Sequence, residues 1–282
     1  MSPRELLLGA FQAAVDAADP ALILPPHLPP PPRGRALVVG GGKAAASMAA
    51  AVEAHWPADA PLSGLVVTRY QHGLPTHRIE VVEASHPLPD GRGEAAALRM
   101  LDLARALGPD DLLLALISGG GSSLLAAPVE GVTLKELRQV TKALLGAGAT
   151  IQDINTVRKH LTRLSGGRLA QAANGAQVRA LIISDVVGDD PTHIASGPCA
   201  PDPTTCDDAR AVLARFGIAA PASVLRHLEN CGADTPKPGD ACFARTANRV
   251  VGSARASLVA AVDFFAQQGV PAHLLSDCVS GD

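Results

Sequence analysis

The sequence predicts an α/β fold, a doubly wound and mostly parallel sheet with helices on both faces. Short apolar segments alternate with helical patterns of about ten to fifteen residues, which is typical of parallel sheets. Hydrophobic residues make up 47% of the 282 residues but aromatic residues only 2%. Alanine, valine, leucine and isoleucine must therefore fill the core, and such a core suits strands that are covered on both faces by small-residue helices.

The first part of the chain is predicted to form a helix, a stiff connector and a strand. Residues 5–18 have apolar residues at helical spacing and are followed by Pro20. Six prolines within residues 25–32 disfavour helix and strand, so we expect an extended connector there. Residues 36–40 (ALVVG) indicate a buried strand, which a glycine cluster and a small-residue helix follow.

The same alternation predicts the remaining elements. Strands are expected at residues 64–68, 79–83, 111–118, 179–185, 249–252 and 272–276, and helices at 91–107, 134–145, 154–173, 207–216 and 254–268. A polar stretch precedes the unit that starts at residue 249, so we expect one domain over residues 1–240 and the beginning of a second α/β domain over 241–282. Because this unit ends on an unflanked strand, we expect the second domain to be truncated.

Charge and composition disfavour several classes of protein. The net charge is −3 and the pI is about 6.3, which predicts no nucleic-acid and no membrane partner. No apolar run reaches the roughly 18 residues of a membrane span, and the N-terminus lacks the apolar core of a signal peptide. The five cysteines are odd in number and contain no C-x-x-C pair, which favours neither a zinc site nor a disulfide framework. We therefore expect a cytoplasmic protein.

Ligands bind outside the carboxyl ends of the strands in an open parallel sheet, and two glycine-rich turns stand at such positions. Gly40, Gly41, Gly42 and Lys43 follow the first strand, where glycines let the backbone approach an anion and the lysine can neutralise phosphate charge. This turn also fits the G-x-G-x-x-A dinucleotide register with Ala45, but not the Walker A motif. The second turn is predicted to form a nest of N–H donors for a phosphate or carboxylate; its residues are Ser118, Gly119, Gly120, Gly121, Ser122 and Ser123. A turn without a ligand is the alternative for both.

Carboxylates follow the strand at residues 179–185. Asp185 and Asp189 can hold Mg²⁺ through their oxygens, or one of them can accept the proton of a substrate hydroxyl. Capping of the turn by aspartate is the alternative, and for Asp190 it is equally supported. Ser253, after the strand at 249–252, is predicted to face the same cleft and to contact the cofactor.

The predicted helix at residues 154–173 carries candidates for substrate binding. Arg158 can bind a carboxylate through two parallel hydrogen bonds, and Asn155 and Lys159 are its neighbours. Adjacent residues on a helix face different directions, so Arg158 and Lys159 cannot both bind the same carboxylate. The alternative interpretation is that these charged residues form a solvated helix face and bind no substrate. His86 completes the set, although a lone histidine is more often a structural hydrogen-bonding residue.

Several segments occur together in one order and resemble a known family. They are GGGKAA (40–45), SHPLPDGRG (85–93), LISGGGSSLL (116–125), NTVRKHLTRLSGGRLA (155–170), SDVVGDDPTHIASGP (184–198) and VVGSARASLVAA (250–261). From about residue 5 to residue 282 the chain closely resembles the glycerate kinases that carry a C-terminal MOFRL domain, some of which are named hydroxypyruvate reductase.

The resemblance implies a Rossmann-like N-terminal domain and transfer of the γ-phosphoryl group of ATP to D-glycerate, with Mg²⁺, to give 2-phosphoglycerate. It implies an essential role for Lys43, and a cleft lined by the second turn and by the aspartates of the SDVVGDDP segment. Two departures from the family pattern are expected to matter. Residues 1–282 do not include the MOFRL domain that follows in the family, or the arginine that is expected to complete the active site. Ala254 stands where the family has asparagine.

Two other functions stay open. An NAD(P)H-dependent hydroxypyruvate reductase is supported by the Gly40, Gly42 and Ala45 register, but Arg69 follows the second strand where an acidic residue would bind a ribose hydroxyl. An inactive anion-binding fragment is the third reading. The expected partner is a small-molecule substrate, glycerate, and a homodimer is left open.

Overall fold

The computed structural model describes residues 1–230 and 234–279, and one sheet of six parallel strands forms its centre. The strands are β1 (Ala36–Gly41), β2 (Leu62–Arg69), β3 (Ile79–Ala84), β4 (Leu112–Ser118), β5 (Gln177–Ile183) and β6 (Thr246–Gly252). Their order is β3-β2-β1-β4-β5-β6, with every neighbouring pair parallel. The order reverses between β1 and β4, which is where doubly wound sheets bind ligands. The predicted fold class is confirmed.

Helices surround the sheet. They are α1 (Pro3–Asp16), α2 (Pro20–Ile23), α3 (Ala45–His55), α4 (Gly91–Arg105), α5 (Gly121–Leu124), α6 (Leu134–Gly146), α7 (Ile151–Leu161), α8 (Arg168–Ala172), α9 (Cys206–Arg215), α10 (Ala222–Glu229) and α11 (Ala254–Gln267). Side chains on alternate sides of β1 enter different apolar layers, since Val39 packs with residues of α4 and α8, and Val38 with residues of α3. A third apolar cluster joins α6, α7, α9 and α10.

Two predicted elements are wrong. The helix expected at residues 154–173 is two helices, because Thr162 adopts an extended conformation (φ −126°, ψ 151°) that ends α7. Gly166 and Gly167, with positive φ angles of 59° and 84°, then redirect the chain into α8. The strand expected at residues 272–276 does not form, and within the described residues no neighbouring strand pairs with it. Helix α10 was not predicted.

The strand β6 extends the first sheet rather than starting another one, because it is hydrogen-bonded along β5. The division of the chain at residue 241 stays a prediction.

Cys206 is disulfide-bonded, which the spacing of the cysteines did not predict because disulfide formation depends on spatial proximity. In the part of the chain that the structure describes, no helix is both long enough and apolar enough to span a bilayer.

Candidate active site

The turns that follow β1, β3, β4 and β5 meet at the carboxyl edge of the sheet. The Nζ atom of Lys43 lies 3.3 Å from Oδ2 of Asp185, and both side chains are about half exposed. A Cβ atom added to Gly120 would lie 2.8 Å from Nε2 of His86 and 3.4 Å from Cγ of Lys43. The structure therefore brings Lys43, His86, Asp185 and the second glycine turn into one site.

Residues 40–44 form a turn whose backbone donors are already used, and we call it the closed turn. Gly40 and Gly41 lie inside β1. The amides of the next three residues donate to the protein: Gly42 N to Val67 O (3.1 Å), Lys43 N to Gly119 O (2.8 Å) and Ala44 N to Ser118 Oγ (3.0 Å).

The glycines of the closed turn serve packing. A Cβ atom on Gly40 would overlap the carbonyl oxygen of Leu116 in β4, and one on Gly42 would overlap the hydroxyl of Ser118. The predicted cofactor-binding role of Gly40, Gly41 and Gly42 does not fit this geometry, because no backbone donor of Gly42 to Ala44 is left for a phosphate. Only the side chain of Lys43 reaches the site from this turn.

Residues 118–123 form the open turn. Gly120 adopts a φ of 85° and precedes α5, and the amides of Gly120, Gly121 and Ser122 have no hydrogen-bond acceptor among residues 1–230 and 234–279. Consecutive backbone donors of this kind form an anion-binding nest. Ser118 is the exception in this turn, since its hydroxyl is buried against Ala44 and does not serve the predicted contact with a cofactor.

The carboxylate of Asp185 lies against the open turn, because a Cβ atom on Gly119 would overlap it. Asp185 lines two clefts. The main cleft, of about 470 Å³, extends from the open turn to α6 and α7. The side cleft, of about 390 Å³, contains Asp189 and Ser253. Ser253 also caps α11, where its side chain accepts from the amide of Ala256.

Arg158 provides an uncompensated cation in the main cleft. Its Nη1 donates to Oδ1 of Asn155 at 3.2 Å, and burial lowers its pKa to about 10. Within the described part of the chain, no carboxylate lies within ion-pairing distance of this guanidinium. A poorly solvated cation without a counter-ion favours binding of an anion.

A hydrogen-bonded chain joins Arg158 to the open turn. Asn155 Oδ1 also accepts from Ser196 Oγ at 3.0 Å, and Ser196 Oγ lies 2.8 Å from Ser122 Oγ. Ser196 and Ala195 have φ angles of 59° and 50°, an unfavourable conformation for residues with a Cβ, of the kind that clusters at functional sites. Sequence reasoning missed Ser196, since only the three-dimensional structure places it here.

Lys159 does not belong to the cleft. Its side chain is 1% exposed and its Nζ lies 3.2 Å from Oδ1 of the buried Asp202. The predicted substrate-binding role of Lys159 is therefore wrong: this face of α7 points away from Arg158, and the side chain is bound in an internal ion pair.

Two histidines line the main cleft. Burial, followed by the charges of Lys43 and Arg69, lowers the pKa of His86, so that its imidazole is neutral at neutral pH. Burial and the charge of Lys159 lower the pKa of His193. The Nδ1 atom of His193 is buried without a hydrogen-bond partner among the described residues.

A larger cleft, of about 760 Å³, lies beside Arg105, Arg163 and His227. The described residues that line it include none from the turns after β1, β3, β4 and β5. This larger cleft is therefore separate from the site at the carboxyl edge of the sheet.

Fold and site define an α/β protein in which backbone donors, a lysine and an aspartate come together where the strand order reverses. The chain belongs to the family described as domain of unknown function DUF4147, whose model matches residues 6–229. A protein of Agrobacterium vitis named "Putative hydroxypyruvate reductase" is 50% identical over 282 residues, which are 100% of this chain and 63% of that relative. The D-glycerate 2-kinase of Thermotoga maritima is 47% identical over 175 residues, 62% of this chain and 41% of the kinase.

Two solved structures are also similar to this chain. A crystal structure of glycerate kinase from Thermotoga maritima matches with a TM-score of 0.85 and 36% identity, covering 95% of this chain and 63% of that chain. A protein of Pyrococcus horikoshii matches with a TM-score of 0.84 and 35% identity, covering 96% and 65%. The predicted family is confirmed, and the chain spans less than two thirds of the length of these relatives.

Proposed function

We propose that this chain forms the substrate-binding part of an ATP-dependent glycerate 2-kinase, which phosphorylates D-glycerate to 2-phosphoglycerate. The observation that carries the proposal is the position of the open turn, which lies between the Lys43–Asp185 pair and the uncompensated guanidinium of Arg158. Phosphoryl transfer requires positioning and charge neutralisation, and this arrangement supplies both. The kinase names that the matches from Thermotoga maritima carry support the same reaction.

Each group has a distinct role in this reaction. Arg158, oriented by Asn155, binds the carboxylate of glycerate, and the amides of the open turn bind phosphate oxygens. Lys43 neutralises the negative charge that these oxygens carry during transfer. The oxygen of the attacking glycerate hydroxyl bonds to phosphorus, and Asp185 accepts the proton of that hydroxyl. At the same time the bond between phosphorus and the departing ADP oxygen breaks. The neutral imidazole of His86 accepts a hydrogen bond from the substrate.

The carboxylates of Asp185 and Asp189 suit Mg²⁺, because this ion prefers oxygen ligands and is usually held by one or two carboxylates together with substrate phosphates. Both residues line the side cleft, and the half-exposed Asp185 has an oxygen accessible for a ligand. Mg²⁺ bound there would neutralise part of the phosphate charge.

A hydroxypyruvate reductase is the second candidate, because a relative that is 50% identical carries that name. The strand order is that of dinucleotide-binding folds. The closed turn argues against it, since the pyrophosphate of a dinucleotide binds to free amides after the first strand, and those amides are used within the protein. The basic Arg69 at the end of β2 would also have to replace the usual acidic residue.

The test is an assay for ATP-dependent 2-phosphoglycerate formation from D-glycerate. The Lys43→Met variant is expected to lower kcat by about 10²–10³-fold, as for other lost charge-stabilising groups. Its stability should fall by less than about 1 kcal/mol, because the ion pair with Asp185 is exposed. Lys135→Met is the matched control, since Lys135 is an exposed lysine outside both clefts. Oxidation of NAD(P)H by hydroxypyruvate, without ATP-dependent product, would contradict the proposal.

A further inference from the structure

The main cleft continues beyond the proposed transfer site to a region formed largely by α6. There, Arg138 and Lys142 stand beside the apolar side chains of Leu88, Leu145 and Ile151. We propose that this region, the α6 subsite, binds the base and ribose end of the nucleoside triphosphate. The proposal rests on the proposed kinase function and adds residues to which no role has been given above.

The size and lining of the main cleft exceed what glycerate requires. A cleft of about 470 Å³ lies in the range of about 300–1,000 Å³ that holds ligands much larger than a three-carbon acid. Glycerate is entirely polar, and its carboxylate is matched by Arg158 at the other end. The apolar end therefore has a different ligand, or a different part of a ligand, to bind.

Large apolar side chains are exposed at this end of the cleft. Leu88 is 57% exposed, Leu145 60% and Ile151 47%. Single exposed leucines are common, but three large apolar side chains that line one cleft are a concentration of exposed apolar surface of the kind that marks a binding site. Such a surface suits a planar ring, which can lie against it and bury apolar area.

Two cations accompany the apolar surface. Arg138 and Lys142 are four residues apart on α6 and therefore share a face of the helix. Neither forms an ion pair within the described residues, and Asp185 is the one carboxylate among the described residues of the cleft lining. The cleft is thus positive in a chain of net charge −3.

Arg138 also has a hydrogen-bonding group that requires an acceptor. Its Nε atom is buried and has no partner among residues 1–230 and 234–279. A buried donor without an acceptor is unfavourable, so the cleft is suited to a ligand that supplies one. The hydroxyl of Thr141 lies in the same wall. Its proton is donated to the carbonyl of Leu137, so its oxygen can accept a hydrogen bond from a ribose hydroxyl.

A nucleoside triphosphate satisfies these requirements in one molecule. It combines a planar apolar ring, ribose hydroxyls and several negative charges, and the open turn can receive the phosphate end. Inorganic phosphate would leave Leu145 and Ile151 unused, and a second hydroxy-acid would leave the apolar surface and one of the two cations unused.

The test compares three ligands by isothermal titration calorimetry on the 282-residue chain: ATP with Mg²⁺, inorganic tripolyphosphate with Mg²⁺, and D-glycerate. Leu145→Gln removes an exposed apolar contact and is expected to weaken ATP binding by about ten-fold while leaving tripolyphosphate binding unchanged. Lys142→Met removes a charge and should weaken ATP binding by about five-fold. Both side chains are exposed, so the variants should fold, and Lys135→Met on the same helix is the control.

The outcomes separate the subsite from the function. ATP affinity that is unchanged in Leu145→Gln and Lys142→Met, together with ATP-dependent phosphorylation of glycerate, would overturn the α6 subsite and leave the kinase in place. A loss of glycerate affinity in Leu145→Gln would also overturn it, because the apolar end would then serve the acid. A wild-type chain that binds glycerate but not ATP would overturn the subsite, and the turnover assay would then decide the function.

Discussion

The closed turn and the open turn resemble each other in sequence but differ in what their backbones do. Both contain three consecutive glycines at the carboxyl end of a central strand. In the closed turn the amides of Gly42, Lys43 and Ala44 all donate to protein acceptors, whereas in the open turn three consecutive amides have no acceptor in the described part of the chain. Glycines at a strand tip can therefore serve packing or binding, and the partners of the backbone decide which.

The two turns are also connected. The carbonyl of Gly119 and the hydroxyl of Ser118 accept hydrogen bonds from the closed turn, so the start of the open turn supplies two of the three acceptors that close the first one. Gly119 also lies against the carboxylate of Asp185, and Gly120 lies against His86. This division leaves the closed turn to position Lys43 and the open turn to bind an anion.

The largest effect is expected for Gly40→Ala in the closed turn. The new Cβ atom would overlap the carbonyl oxygen of Leu116, and two central strands would have to separate. We expect the free energy of unfolding to fall by about 3 kcal/mol, measured by urea denaturation. Gly146→Ala is the control, because Gly146 has open space around it and no positive φ. A Gly40→Ala variant as stable as this control would show that the closed turn does not depend on close packing.

Gly119→Ala should affect catalysis more than stability. Its Cβ atom would overlap the carboxylate of Asp185, a short side chain that can turn away. Because misplacement of a reacting group by about 1 Å can cost about 10²-fold in rate, we expect kcat to fall by about 10²-fold. The free energy of unfolding should change by about 1 kcal/mol or less. An unchanged kcat together with a large fall in the free energy of unfolding would contradict this expectation. It would show that Gly119, like Gly40, is required for packing.

Ser118→Ala gives the smallest expected effect. It removes the acceptor of the Ala44 amide but leaves the open turn intact. The free energy of unfolding should fall by about 1 kcal/mol, with the affinity for ATP unchanged within about two-fold. A large loss of ATP affinity in this variant would show that the hydroxyl of Ser118 contacts the ligand after all.

The sequence predicted the six strands of the sheet and the polar turns after β1, β4 and β5, because both depend on local patterns. Apolar runs marked β1, β4 and β5, and polar residues directly after them marked the site. The sequence could not distinguish the closed turn from the open turn, since the acceptors of the closed turn come from Val67, Ser118 and Gly119 on other strands.

Other features depended on tertiary structure in the same way. Lys159 and Arg158 are adjacent in sequence, and only the packing of α7 shows that one pairs with Asp202 inside the protein and the other enters the cleft. The contribution of Ser196 depends on a hydrogen bond to a residue 74 positions away.

Amide hydrogen exchange tests the central claim most directly, because it reports on the backbone donors themselves. Without ligand, the amides of Gly42, Lys43 and Ala44 should be protected, and those of Gly120, Gly121 and Ser122 should exchange rapidly. On addition of ATP with Mg²⁺, the open turn is predicted to gain protection while the closed turn keeps the protection it had. Protection gained in the closed turn, with the amides of the open turn unchanged, would contradict the account.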